Sequence, residues 1–303
     1  MTLPVGFGTW GLGGRAYGEI SEAEASRVVE HALKLGLRMF DTADIYGEGR
    51  AERILGEVLS GVPDAIIISK GGYLSESDSE QNFSYSALSQ SLEESLKRLR
   101  RDHLDVYLLH SPSKQFLEDG EGCHALDRLR EEGYTRKTGV SLRTFDTYPA
   151  AAQWSNCAVI EVVYNLLDQR FLDAGFSQAA SKRGMEVIAR VPLCFGFLSG
   201  QHTTGETFGD LDQRHRWPRQ QIDNWVTGAR RFLGLTRPDR SLIQTALAFC
   251  IQSPGFTYAI PGMKTPAQVE HNLAACGSGG ALTPEEWHLA RKLWADMKGL
   301  APS

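Results

Sequence analysis

Cysteine is scarce in this chain: five in 303 residues, at positions 123, 157, 194, 250 and 276, with no Cys-x-x-Cys pair. An odd, scattered set argues against a disulfide scaffold and for a reducing compartment. A basic excess is also missing. With 32 Lys and Arg against 37 Asp and Glu, the formal charge is −5, which argues against a nucleic-acid partner. No apolar run approaches the roughly 20 residues of a membrane-spanning helix, so no membrane partner is expected. The opening Met1-Thr-Leu-Pro-Val-Gly6 shows neither the charged nor the apolar part of a secretory signal, and a cytoplasmic location is expected. His202, His215 and His271 lack metal-ligand spacing, and no metal is expected. What remains is a globular composition, 42% apolar and 23% charged, with material for a large core.

Short β-branched runs alternate with stretches of helical spacing. Arg38-Met-Phe-Asp41, Ala65-Ile-Ile-Ile-Ser-Lys70, Leu104-Asp-Val-Tyr-Leu-Leu-His110 and Lys137-Thr-Gly-Val-Ser141 read as strands. Ala158-Val-Ile-Glu-Val-Val163, Met185-Glu-Val-Ile-Ala-Arg-Val191 and Phe256-Thr-Tyr-Ala-Ile260 continue the rhythm. Between them Leu88, Leu92, Ser95, Leu96 and Leu99 recur at helical spacing, and Ser21-Glu-Ala-Glu24 is a capping box. With a first strand near Val5, about eight strand–helix units follow one another without an evident linker. Such units make a parallel sheet, doubly wound or closed. Eight in this length favour a (β/α)8 TIM barrel, an α/β fold read as one domain over residues 1–303. Two stretches break the rhythm. Residues 194–220 form a long loop after the seventh strand, and Thr283-Pro-Glu-Glu286 opens an added C-terminal helix running toward Met297.

Gly6-Phe-Gly8-Thr-Trp-Gly11 matches the GxGxxG pattern of a dinucleotide-binding turn. That turn must lead directly into a helix. Here Leu12-Gly-Gly-Arg-Ala-Tyr-Gly18 follows and the next helix waits for Ser21, so the stretch is read as a strand with a glycine-rich loop.

The chemistry gathers at strand ends. Asp41 ends the second strand, Tyr46 follows it in Asp41-Thr-Ala-Asp-Ile-Tyr46-Gly47, Lys70 ends the third strand and His110 the fourth. In a barrel the C-terminal strand ends share one face, with neighbouring strands about 4.8 Å apart. Taken singly, Asp41 is an ordinary cap, Tyr46 a surface ring, Lys70 a solvated charge and His110 a hydrogen-bonded core residue. Four such coincidences at one place explain the pattern poorly, and a lysine ending an Ile-rich strand needs a carboxylate, which Asp41 can supply. The set suits carbonyl reduction, in which hydride arrival leaves an alkoxide that must be protonated. The Lys70 ammonium is expected to lower the Tyr46 phenol below its usual pKa of about 10. Asp41 would orient Lys70, and His110 would hydrogen-bond the substrate oxygen.

Gly6-Phe-Gly-Thr-Trp10-Gly, Asp41-Thr-Ala-Asp-Ile-Tyr46-Gly, Lys70, Leu108-Leu-His110-Ser, Gly139-Val-Ser141 and Ile260-Pro-Gly-Met-Lys264-Thr265 occur in one order over nearly the whole chain. In these pieces the sequence resembles the aldo-keto reductase superfamily, on its bacterial, potassium-channel-β-like side. The resemblance implies a barrel that binds NADPH (NADP+) without a Rossmann domain and reduces an aldehyde, ketone or sugar carbonyl, with Tyr46 as proton donor. It implies cofactor contacts from Thr9, Trp10 and Asp41, and from Ser141, Glu161 and Arg190 around the nicotinamide. Pro192, Leu193, Gly196 and Gly200 would line the pyrophosphate, and Gly262 would allow close approach. Lys264 and Thr265 would take the 2′-phosphate, at a helix start where Pro266 and Gln268 complete a capping box. Gln268 and Asn272 would face the adenine.

The chain departs from the better-known members at three positions: Glu161 stands where glutamine is common, Leu142 where asparagine is expected, and Arg190 where an aromatic ring stacks. An Arg plane can stack, and Glu161 can accept an amide hydrogen bond. Trp10, Tyr73 and parts of 194–220, Trp217 among them, are expected to line a pocket for a small carbonyl substrate. Arg214-His-Arg-Trp-Pro-Arg219 reads as loop surface and Cys194 as a small core residue. The oligomeric state is left open. Two other readings stay in view: a channel-β-like, redox-sensing subunit that binds NADPH with little turnover, and a cofactor-free barrel lyase or isomerase that leaves Lys264 unexplained.

Overall fold

Eight strands pair in chain order and all in parallel: β1 (Phe7–Gly8), β2 (Met39–Asp41), β3 (Ile66–Gly71), β4 (Leu104–His110), β5 (Thr135–Ser141), β6 (Val159–Val163), β7 (Glu186–Arg190) and β8 (Tyr258–Ile260). The structure is a computed structural model and describes residues 3–14, 16–76, 79–277 and 279–297. The ring closes where Gly6 N–H donates to the Ala259 carbonyl at 2.9 Å and Gly8 N–H to that of Pro261 at 3.0 Å. This is the (β/α)8 barrel that the strand rhythm predicts. The strand ends shift from the sequence reading by a residue or two. β8 begins at Tyr258 because Phe256 is still in a turn, its N–H bound to the Ser253 carbonyl at 3.1 Å.

Alternation along the strands fixes what faces the barrel axis. Met39, Ile68, Val106, Leu108, Val159, Ile188 and Ile260 form one buried apolar plug. One pleat further toward the C-terminal ends, the same face presents Asp41, Lys70, His110, Glu161 and Arg190, two residues beyond Met39, Ile68, Leu108, Val159 and Ile188. Ser141 joins them, paired in register with His110 on one side and Glu161 on the other. A ring of polar groups thus lies on an apolar floor.

Helices wrap the outside and bury their apolar stripes against the strands. Tyr85–Leu99 buries Leu88, Leu92, Ser95, Leu96 and Leu99, the spacing read from sequence. Reciprocal capping boxes start Glu22–Lys34 at Ser21 and the added C-terminal helix Pro284–Ala295 at Thr283. That last helix buries Ala290 and Trp294, and the Trp294 indole N–H donates to Asp173 at 2.8 Å. After β1 the chain makes only a 3-10 turn, Trp10–Gly13, so the glycine pattern opens no dinucleotide-binding helix. Among the described residues no helix is long and apolar enough to cross a membrane.

Candidate active site

Lys70 Nζ sits at the centre of the polar ring. It donates to Asp41 Oδ2 at 2.5 Å and to the Thr42 carbonyl at 3.0 Å, and lies 3.5 Å from Glu161 Oε2. Lys70, Asp41 and Glu161 are all buried, and an ammonium there needs such partners. Burial would lower the Lys70 pKa, but Asp41, Glu161 and Tyr46 outweigh it and hold the amine charged. Burial and the charge of Glu161 push the Asp41 carboxyl well above the ordinary carboxylate value, against the pull of Lys70. Burial acts the same way on Glu161, yet Lys70, Asp41 and Arg190 together bring its carboxyl below the ordinary value.

Tyr46 hangs over this cluster with Lys70 Nζ 5.6 Å from its ring centroid. Its ring meets His110 edge-on at 5.9 Å and tilts toward Trp10 at 6.3 Å. Strands β2 to β4 therefore do bring the carboxylate, phenol, ammonium and imidazole together. The expected direction for the phenol needs correction. Burial raises the Tyr46 pKa above its ordinary value; Lys70 pulls it down but does not win. Tyr46 is thus a protonated phenol at neutral pH. Burial, then Lys70 and Arg190, press His110 well below the usual histidine range, so its ring is neutral. Tyr73 packs edge-on against His110 at 5.0 Å.

The other residues expected to contact a cofactor lie at strand ends and on the segments that follow them. Thr9 is buried after β1 and donates its hydroxyl to the Asp41 carbonyl at 2.9 Å. Arg190 Nη1 donates to Ser141 Oγ at 2.9 Å, tying the ends of β5 and β7. Pro192 and Leu193 follow β7, and Gly196 and Gly200 take positive φ of 95° and 73° in the segment that leaves the barrel. Gly262 bridges Gly8 just past β8. Thr265 caps the helix Pro266–Leu273, accepting from Gln268 N–H at 3.2 Å, and Asn272 is buried on that helix. Gln268 does not return to the cap residue as a capping box would. Its Oε1 instead accepts from Lys264 N–H at 2.7 Å. The Lys264 ammonium donates to the carbonyls of Tyr17 at 2.6 Å, Gly18 at 2.9 Å and Glu19 at 3.3 Å.

The long loop is less of a surface feature than its composition suggests. Tyr17 and Asp212 form an antiparallel bridge, with Gly18 N–H on the Leu211 carbonyl and Gln213 N–H on that of Ala16. The loop after β7 therefore straps across to the loop after β1. Arg214, expected at the surface, points inward, held by Asp212 at 2.6 Å, by His202 at 3.1 Å and over the Phe208 ring at 4.3 Å. Trp217 packs on Phe195 at 4.3 Å and Trp225 at 4.7 Å. Arg216 and Arg219 are exposed, as the surface reading has it. Gln81 carried no signal in the sequence: its side-chain amide donates to the carbonyls of His110 at 2.9 Å and Ser111 at 3.1 Å, fixing the end of β4. A cavity of about 560 Å³ opens behind the strap, lined by Gly14, Ile20, Arg50 and Leu211 among others, but no residue of the polar ring lines it.

The model of the Aldo/keto reductase family matches residues 4–295. The chain belongs to that family. The aldo-keto reductase YhdN of Bacillus subtilis is 27% identical over 278 residues, 88% of this chain and 82% of its own. The glycerol dehydrogenase structure from Gluconobacter oxydans superposes with a TM-score of 0.82 at 26% identity, covering 97% of this chain and 92% of that one. A Klebsiella pneumoniae aldo/keto reductase, solved with NADP and acetate, gives a TM-score of 0.69 at 25% identity over 100% of this chain and 93% of that one. The family is one of oxidoreductases built on this barrel, as the sequence motifs imply.

Proposed function

We propose that this aldo/keto reductase uses NADPH to reduce an aldehyde, ketone or sugar carbonyl to the alcohol, with Tyr46 as the proton donor. The observation that supports this most is the convergence of Tyr46, Lys70, Asp41 and His110 in one buried ring. Carbonyl reduction needs a neutral acid, a fixed cation and a hydrogen-bond donor around one oxygen. The phenol, the ammonium and the neutral imidazole match those needs.

The residues at the mouth fit a nicotinamide dinucleotide. Buried Glu161, and the Nδ1 of His110, which has no hydrogen-bond partner among the described residues, offer acceptors to an amide. Ser141, Glu161 and Arg190 would hold the nicotinamide, with Thr9, Trp10 and Asp41 beside it. The segment from Pro192 and Leu193 through Gly196 to Gly200 would follow the pyrophosphate. Gly262, Lys264, Thr265, Gln268 and Asn272 would hold the adenosine end, where a capped helix start and a lysine make an anion site. To reach a phosphate, Lys264 would exchange the carbonyls of residues 17–19 for it. When bound, the cofactor supplies a hydride.

The protein supplies the rest. His110 orients the substrate oxygen, and the Lys70 cation stabilises charge as it grows there. An alkoxide is a far stronger base than a phenolate, so Tyr46 gives up its proton even with a raised pKa, and Lys70 holds the resulting tyrosinate. The apolar floor and the burial of the ring keep water from the exchange. Titrating NADPH and then following its consumption with a panel of carbonyl compounds tests the proposal. Binding with turnover supports it; binding without turnover on any carbonyl points to the sensing subunit instead.

A further inference from the structure

Two carboxyl groups share one cation at the heart of the ring. Asp41 comes from β2 and Glu161 from β6, on opposite walls of the barrel, and Lys70 Nζ lies 2.5 Å from one and 3.5 Å from the other. Water reaches none of the three to any extent. Besides Lys70 at 3.5 Å, only the Ser141 hydroxyl and the Asp41 carboxyl are set among the described residues to give Glu161 a hydrogen bond. Two ionised carboxylates this close in a dry site repel, and such pairs keep a proton between them. A proton on Asp41 also turns its contact with Glu161 from a repulsion into a hydrogen bond.

We propose that Asp41 and Glu161 hold one shared proton while the nicotinamide is in its neutral, reduced form, and release it when a cationic, oxidised nicotinamide occupies the site. The pair is then the internal store that refills Tyr46 during turnover. This rests on the cofactor reading above.

Hydride from the reduced nicotinamide bonds to the carbonyl carbon, and the Tyr46 O–H bond breaks as its proton goes to the former carbonyl oxygen. Lys70 passes a proton to the Tyr46 oxygen, and the carboxyl pair returns one to Lys70. The net products are an alcohol, a cationic nicotinamide and a carboxyl pair one proton poorer. The new positive charge is matched by a new negative charge inside the same ring. A glutamine at position 161 could accept a hydrogen bond there but could store no proton.

The other charged and titratable groups of the ring are poorer sources. Lys70 is held as an ammonium by both carboxylates, Arg190 is a permanent cation tied to Ser141, and His110 is already neutral. Tyr46 faces the pair from the loop after β2 and is the group being refilled.

Calorimetric titration of the full chain with NADP+ and with NADPH, near neutral pH in buffers of different ionisation enthalpy, counts the protons released on binding. The 2′-phosphate is common to both ligands, so its own titration cancels in the difference. Wild type is expected to release about one proton more with NADP+ than with NADPH, and Glu161→Gln, titrated to saturation whatever its affinity, to abolish the difference. Equal release from wild type overturns the proposal, as does a difference that persists in Glu161→Gln. The wild-type comparison decides even where the variant does not fold. If both forms bind and carbonyls turn over without a proton difference, only this inference falls; if neither form binds, the cofactor reading falls with it.

Discussion

The ammonium of Lys70 stands 5.6 Å from the centre of the Tyr46 ring, close enough to act on the phenol through a medium nearly free of water. Charge interactions in such a medium exceed their strength in bulk water several-fold. The cation therefore matters most once the phenol has lost its proton. Tyr46→Phe keeps the ring and its contacts with His110 and Trp10 but removes the proton. It is expected to lower kcat by about a hundredfold to ten-thousandfold while the NADPH Kd stays within about threefold. Steady-state rates and a fluorescence titration check this, and undiminished turnover would remove Tyr46 as the acid.

Lys264 has two possible duties, and comparing two cofactors separates them. Its amine holds the carbonyls of Tyr17, Gly18 and Glu19, a grip that involves no 2′-phosphate. A 2′-phosphate contact serves NADPH only. Lys264→Ala is therefore expected to weaken NADPH about tenfold more than NADH, in line with a charge-assisted contact. Equal losses for the two would leave Lys264 as a loop anchor alone.

Gly47 positions the residue before it. Its φ is +60°, and a Cβ there would stand 2.4 Å from the carbonyl oxygen of Gly13, backbone against backbone with nothing to yield. Gly47→Ala is expected to cost about 2 kcal/mol or more of stability and to depress kcat as Tyr46 shifts. Gly36 offers the control, with φ +87° and nothing within 4 Å of its Cβ position. Gly36→Ala should cost about 1 to 2 kcal/mol of backbone strain and leave kcat unchanged. Denaturant melts and rates on both variants check the contrast.

Much of this was legible because alternation and strand ends obey local rules. Met39 and Asp41, Ile68 and Lys70, Leu108 and His110 lie two residues apart on strands, so an apolar floor under a polar ring is already written in the chain. The capping box at Ser21 and the helix start at Thr283 depend on neighbours a few residues away and appear as read, whereas Gln268 bonds Lys264 instead of closing the box expected at Thr265. Contacts between distant segments were not legible. The pairing of Tyr17 with Asp212 and the inward turn of Arg214 depend on where two irregular loops meet, and no periodicity marks that. The net direction at Tyr46 was missed for a related reason. A nearby lysine shows in the sequence, but the depth of burial that outweighs it belongs to the assembled fold.

Asp44, in the loop that carries Tyr46, gives a pH dependence with a definite sign. It is half-buried, with its carboxyl turned inward, and takes the Ser91 hydroxyl on Oδ2 at 2.6 Å. Burial, aided by the charge of Glu52, pushes its carboxyl from an ordinary 3.8 up to about 7. A carboxyl with a raised native value binds more protons folded than unfolded within that window. Its contribution to stability is complete below 3.8 and is lost as the pH rises toward 7. Asp44→Asn keeps the acceptor for Ser91 and cannot ionise. Relative to wild type, the variant should gain stability as the pH climbs through the window, by up to about 1.4 kcal/mol per pH unit. Urea unfolding of both proteins at about pH 5 and about pH 8 measures this, and the difference between them is used because other groups titrate too. A wild-type minus variant difference that does not change with pH would mean that Asp44 ionises as freely in the fold as out of it.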